Sequence, residues 1–169
     1  KIADEFTSDR TDFDREFCER TVSLCKADLV TEVVDEFPSL EGTIGGYYAE
    51  RDGEPEEVVR GIKEHYQPRT SSDVPPESST GIVASIADKL DTLTGSFLIG
   101  EEPSGTRDPY GLRRKADGII RTMIERQVSA NMGDLLRYSG KLFELEGGKQ
   151  ATDKLEGYFR ERLDRVLEL

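Results

Sequence analysis

The chain of 169 residues has no tryptophan, a single histidine and two cysteines, and it is short of basic charge, with 23 Lys and Arg against 35 Asp and Glu. Each shortage excludes something. One imidazole cannot build a His-rich metal centre, and it thins out most acid–base pairs that depend on histidine. Cys18 and Cys25 read as lying on one helix, where two turns would hold them roughly 10 Å apart, too far for a disulfide. Two reduced thiols in or near a core fit that spacing and point to the cytoplasm. No apolar run approaches the roughly 20 residues of a membrane span, and no basic-then-apolar leader is present, so no membrane partner is expected. The net charge of −12 weighs against a general nucleic-acid binder, because a phosphate backbone repels an acidic surface unless basic residues are segregated. A Walker P-loop, a G-x-S-x-G elbow, an H-E-x-x-H pair and a C-x-x-C pair are all missing.

What is present reads as one domain. Apolar residues make up 35 % and charged ones 34 %, and apolar clusters recur throughout, which argues against wholesale disorder. The chain begins on Lys1 rather than Met and stops at Leu169 inside an amphipathic pattern, so a piece of a longer protein is expected.

Helical spacing runs through almost the whole length. After a polar lead-in over 1–11, Phe13, Phe17, Leu24, Cys25, Val30, Val33, Val34 and Phe37 predict one helical run that Pro38 stops. A second helix is expected over 40–49 despite Gly42, Gly45 and Gly46, and Asp52-Gly53 marks a turn. Pro55, Glu56 and Glu57 suit the start of a third, whose stripe is Val58, Val59, Ile62 and His65 or Tyr66. Two prolines and six hydroxyl side chains make 69–80 a surface loop. The helix over 81–98 buries Ile82, Val83, Ile86, Leu90, Leu93 and Phe97, and Asp108-Pro109 opens the next one. Helices over about 131–145 and from Thr152 onward complete the chain, separated by Gly147-Gly148. No period-two run of strand length appears, so the fold class is all-α, a bundle of about six to eight helices.

Three polar residues stand out. Asp88 shares a helix side with Gly81, Ala84, Ser85 and Gly95, which suits either a pocket acid or a hydrogen-bonded helix contact, and the second is favoured. His65 ends an amphipathic helix, and Asp28 sits among apolar neighbours. Charge is also uneven. Residues 107–126 carry +3 while the rest of the chain carries −15. Arg107, Arg114 and Arg121 recur every seventh residue, with Arg113 and Lys115 beside the middle one. Such a stripe either follows a phosphate backbone or pairs with the acidic remainder, and spacing alone favours pairing.

Read together, three segments narrow the choice: CKADLVTEVVDEFPSLEGTIGGYYAERDGE (25–54), IKEHYQPR (62–69) and VASIADKLDTLTGSFLIGEEPSGTRDPYGLRR (83–114). Over about half the chain their order and spacing resemble the middle of the bacterial glycyl-tRNA synthetase beta subunit family, with its motifs KADL, EFPELQG, YYA, EHY, ADKLDTL and DPFALRR. The departures are conservative in size, among them Val33 for Met, Ser39 for Glu, Ser104-Gly105-Thr106 for Thr-Gly-Ser and Gly111 for Ala.

The resemblance implies the larger subunit of an α2β2 glycine–tRNA ligase. In that family the alpha subunit carries the class II core that makes glycyl-adenylate with ATP and Mg, and the beta subunit supplies recognition of glycine tRNA. The central region of the family is similar to the HD fold, an all-α phosphohydrolase scaffold in which a His, a His-Asp pair and a later Asp hold a metal. Asp28 matches the Asp of that pair with Ala27 where the His would stand, Asp88 matches the last Asp, and His65 aligns with a later histidine. No histidine precedes His65, so the resemblance implies a degenerate HD-like domain over 12–128 with no catalytic residue, metal or cofactor of its own. Residues 129–169 are then helices leading onward, and Arg107, Arg113, Arg114, Lys115 and Arg121 are the tRNA-binding candidates. Two rivals stay open: a surviving HD-type phosphohydrolase using Asp28, His65 and Asp88, and a module that docks the alpha subunit.

Overall fold

The computed structural model describes residues 2, 3, 13–143 and 148–168. Among them run eight α-helices: α1 (Arg15–Leu24), α2 (Glu32–Glu36), α3 (Thr43–Arg51), α4 (Glu56–Glu64), α5 (Ser79–Leu98), α6 (Leu112–Glu125), α7 (Met132–Leu142) and α8 (Gly148–Leu167). Short 3-10 turns cover Ala27–Val30 and Pro38–Leu40, and the described residues contain no strand beyond an isolated bridge between Ser104 and Arg107. The fold is an all-α bundle, as the periodicity requires.

Helix α5 is its axis. The expected stripe Ile82, Val83, Ile86, Leu90, Leu93 and Phe97 is buried, but so is most of the other side, including Ala84, Ser85, Ala87 and Lys89. Helices α1, α4, α6, α7 and α8 all pack against it. Leu90 and Leu93 are 0 % exposed, and burial of each such side chain contributes roughly 1.5–3 kcal/mol. The helix begins where its donors find acceptors. The Ser78 hydroxyl oxygen accepts from the Gly81 amide at 3.0 Å, and a Glu64 carboxylate oxygen accepts from the amides of Glu77 and Ser78 at 3.0 and 2.8 Å. A carboxylate there also complements the positive end of the helix dipole.

The helical run expected from residue 12 to Pro38 does not stay whole. Helix α1 ends at Leu24, Cys25 serves as its C-cap, and the chain turns through Ala27–Val30 before α2. The cause is Asp28, a carboxylate only 1 % exposed, whose Oδ2 accepts from the amides of Gly42 and Gly45 at 2.7 and 3.2 Å. Continuing the helix would carry this side chain away from those amides and leave three polar groups unpaired. Val30, counted in the apolar stripe, is instead 90 % exposed. Both cysteines are buried free thiols, and burial first of all pushes Cys18 up to about 12 and Cys25 up to about 11.

The loop before α5 is ordered by α6. Arg121 donates to the carbonyls of Ser71 and Asp73 at 2.8 and 3.0 Å, and Arg126 to those of Pro76 and Pro75 at 2.9 and 2.7 Å. Asp108 caps α6 as expected, accepting from the amides of Leu112 and Arg113 at 2.7 and 3.1 Å, although the helix starts later than Pro109. Gly111 just before it has φ +63°, a left-handed turn that suits glycine.

Helices α7 and α8 close the bundle. Leu135, Leu136, Leu155 and Phe159 join the same core as Leu93, Ile119 and Val128, so packing is continuous across residue 128. Arg162 of α8 holds Asp117 of α6 through both carboxylate oxygens, at 2.7 and 2.5 Å. Of the lead-in, Ile2 and Ala3 are described and buried, while the expected helix end at Leu145 and the separator Gly147 lie outside the described residues. No described helix is long and apolar enough to cross a membrane.

Candidate functional site

The polar trio found in the sequence meets the bundle where α1, α3, α4 and α5 come together, and each member has its own task. Asp28 holds the start of α3 through Gly42 and Gly45. A Cβ on Gly45 would stand 2.9 Å from that carboxylate oxygen, so the close approach requires glycine. Asp88 instead faces Lys26, whose ammonium lies 2.9 Å from its Oδ1 and 3.9 Å above the centre of the Tyr66 ring. Burial works against the charge on Lys26, but Asp88 and Tyr66 outweigh it and hold its pKa above the usual lysine value. His65, 0 % exposed, bonds the Ile62 carbonyl through Nδ1 at 2.7 Å. Burial first, then the Lys26 ammonium, pushes this imidazole down to about 4, so it is neutral near pH 7 with the proton on Nδ1.

These positions do not make a metal centre. Asp28 Oδ2 is taken by two amides, Asp88 by an ammonium, and of the trio Asp28 Oδ1 and His65 Nε2 remain buried without a partner among the described residues. Among the described residues no three His, Cys, Asp or Glu side chains converge closely enough to hold a metal ion. The HD-type donor set therefore does not fit a metal here. What the trio does is structural: Asp28 fixes one helix start, His65 a helix end, and Asp88 holds the Lys26 ammonium.

Sequence reasoning passed over the residue beside Asp88. Lys89 is 3 % exposed, and its ammonium donates to Ser85 Oγ at 2.7 Å and to the carbonyls of Gln67 and Tyr66 at 2.8 and 3.2 Å. It thereby collects the acceptors left at the end of α4, where the chain reaches the cis Gln67-Pro68 bond. Burial pushes Lys89 down to about 7. Asp88 opposes the shift, while Lys115, Lys26 and Arg69 add to it. It stands between Asp88 and Asp91 in the ADKLD motif, and the packing of α4 and α6 against α5 buries it.

The five basic candidates separate just as clearly. Arg121 is engaged by the loop carbonyls and by Glu125 at 2.9 Å, Arg107 by Glu101 at 2.9 Å, and Arg113 by the Gly105 carbonyl at 2.8 Å. Arg114 and Lys115 have no carboxylate within ion-pair distance among the described residues. With Arg69 they border an open cavity of about 410 Å³ whose floor is Lys89. The five candidates thus resolve into three engaged arginines, one of which anchors a loop, and two cations, Arg114 and Lys115, open beside a cavity.

Comparison with known proteins agrees with the motifs. The family model described as glycyl-tRNA synthetase beta subunit matches residues 1–169. The glycine–tRNA ligase beta subunit of Chromohalobacter salexigens is 42 % identical over 164 residues, 96 % of this chain and 23 % of that protein. The same subunit of Rickettsia canadensis is 45 % identical over 140 residues, 83 % of this chain and 21 % of its own length. That of Acidovorax sp. is 50 % identical over 113 residues, covering 67 % of this chain and 16 % of the relative. The chain spans about a fifth of the length of these relatives. A match running from the first residue to the last, with identities this high, places the chain in the glycyl-tRNA synthetase beta subunit family.

Proposed function

We propose that these residues form a non-catalytic, HD-like helical part of the beta subunit of an α2β2 glycine–tRNA ligase, and that α6 contacts the backbone of glycine tRNA. The observation that carries this reading is the pair Arg114 and Lys115, free of carboxylates on a chain of net charge −12. Two cations free of carboxylates on one helix turn, Arg114 exposed and Lys115 half-buried, suit phosphate contacts, which position an RNA rather than read its bases. Arg69 adjoins them, Arg113 lies in the first turn of the same helix and Arg107 in the loop before it. Adenylate formation with ATP and Mg then belongs to the alpha subunit. The separate engagement of Asp28, His65 and Asp88 supports the non-catalytic reading over a surviving phosphohydrolase.

Charge reversal tests it in the whole heterotetramer. Arg114→Glu with Lys115→Glu should weaken glycine tRNA binding and lower the salt dependence of log Kd by about 1–2 units, one per lost phosphate contact. Glycyl-adenylate formation without tRNA should be unchanged. An unaltered tRNA affinity and an unaltered salt slope would rule the contact out.

A further inference from the structure

The cavity over Lys89 has a composition that a backbone-tracking helix face does not require. It is bordered by Tyr66, Arg69, Lys89, Tyr110, Arg114 and Lys115. One carboxylate, that of Glu41, shares the lining and stands 3.9 Å from Arg69. Arg69, Arg114 and Lys115 against one acid, with Lys89 beneath them, concentrate positive potential in a recess of an acidic chain. The recess is built rather than incidental. Gly111 leaves space for the Arg114 side chain, whose Nη2 lies 2.9 Å from where a Cβ would be. Arg69 is held by a 2.7 Å bond to the Glu41 carbonyl and lies 5.1 Å from the centre of the Tyr66 ring.

The two tyrosines differ. Tyr66 is already covered by His65, at 3.9 Å between ring centres, and by the Lys26 ammonium. Tyr110, 51 % exposed, has no such cover among the described residues and presents its ring beside the cations. Lys89 has its donors engaged by protein acceptors, so it closes the floor without offering a bond to a ligand.

We propose that this cavity is a binding site for a single nucleotide unit, its phosphate lying against Arg114 and Lys115 and its base against the ring of Tyr110. A volume of about 410 Å³ accommodates one nucleotide and not a stretch of duplex. The chemistry is the same for a free mononucleotide and for one unstacked nucleotide of an RNA, where aromatic stacking and a cationic groove act together. The site shares Arg114 and Lys115 with the proposed tRNA contact, but a small ligand can fill it whether or not tRNA touches α6.

Binding to the purified full-length subunit tests the proposal, with AMP, adenosine, inorganic phosphate, the tetranucleotide AAAA and a blunt RNA duplex as probes. Saturable binding of AMP is expected, adenosine should not bind measurably, and phosphate should compete with AMP. Arg114→Glu and Lys115→Glu should each weaken AMP by about tenfold, as expected for loss of a charge-assisted contact. Tyr110→Ala should weaken AMP by about tenfold while leaving phosphate competition unchanged. Arg114 and Tyr110 are exposed, so an unchanged thermal unfolding midpoint separates lost binding from lost folding. AAAA binding much more tightly than AMP identifies RNA as the source, and equal affinities identify the free nucleotide. No saturable binding of either, binding of adenosine as tight as AMP, or AMP affinity indifferent to all three substitutions would overturn the site. If the Arg114 and Lys115 reversals abolish AMP binding but leave tRNA affinity intact, the cavity stands and the tRNA contact falls.

Discussion

The ammonium of Lys89 lies 2.8 Å from the carbonyl oxygen of Gln67, joining the middle of α5 to the end of α4 through a buried cation. Replacing it with methionine keeps the length and removes the donor. The Tyr66 carbonyl would then be left without a donor, while Gln67 keeps the Ser85 hydroxyl, a loss of about 1–3 kcal/mol. The sign of the pH effect follows from the depressed lysine. Its folded pKa of about 7 lies below the 10.5 of the unfolded chain, so between these values the unfolded state binds more protons and stability rises with pH. Urea unfolding should show wild type gaining on Lys89→Met by about 1 kcal/mol per pH unit from pH 7 to 9. Parallel pH profiles for the two proteins would contradict this.

His65 produces the complementary effect in acid. With a folded pKa of about 4 against 6.5 unfolded, its contribution is complete above pH 6.5 and is lost as pH falls toward 4. The groups acting on it are Lys26, Asp88 and Lys89. His65→Asn retains a donor for Ile62 without titrating. The variant should be less stable at pH 7.5, and its deficit should shrink by up to about 3 kcal/mol by pH 4, read from unfolding midpoints across the series.

Asp28 and Gly45 should show coupled energetics. Asp28→Ala leaves the amides of Gly42 and Gly45 unpaired in a buried place and should cost about 2–4 kcal/mol. Gly45→Ala forces a Cβ to within 2.9 Å of Asp28 Oδ2 and should cost a similar amount. The double variant should lose clearly less than both losses together, because removing the carboxylate also removes the clash. Strict additivity in a double-mutant cycle would mean the two do not act on each other.

Arg121 should govern the loop at 69–73. Arg121→Ala removes its donors to Ser71 and Asp73, and limited proteolysis should cut that loop faster, with a stability loss of about 1–2 kcal/mol. Arg121→Lys should restore little, because one ammonium cannot reproduce the guanidinium fork. Equal cleavage of all three proteins would remove the anchoring role.

Much of the fold could be read along the chain because helical periodicity is a local property. The stripe Ile82, Val83, Ile86, Leu90, Leu93 and Phe97 emerged buried, and Asp108 and Asn131 cap the helices that follow them. The run through Asp28 misled because the same apolar spacing suits one long helix or two short ones. A carboxylate bonded to amides 14 and 17 residues away decided between them. The basic stripe misled in the same manner: repeat spacing cannot tell an arginine that holds a loop nearly 50 residues away from one that faces solvent.

The sequence by itself determined the helical class, the family motifs and the residues able to carry charge, since each depends on neighbours within a few turns. Only the tertiary structure decided what those charges do. It buried Lys89 and depressed its pKa, gave Asp28 to backbone amides and Asp88 to Lys26, and tied Arg121 to a loop while leaving Arg114 and Lys115 open. The reason is physical: the free energy of a charged group depends on its solvent exposure and on partners distant in the chain, and packing sets both.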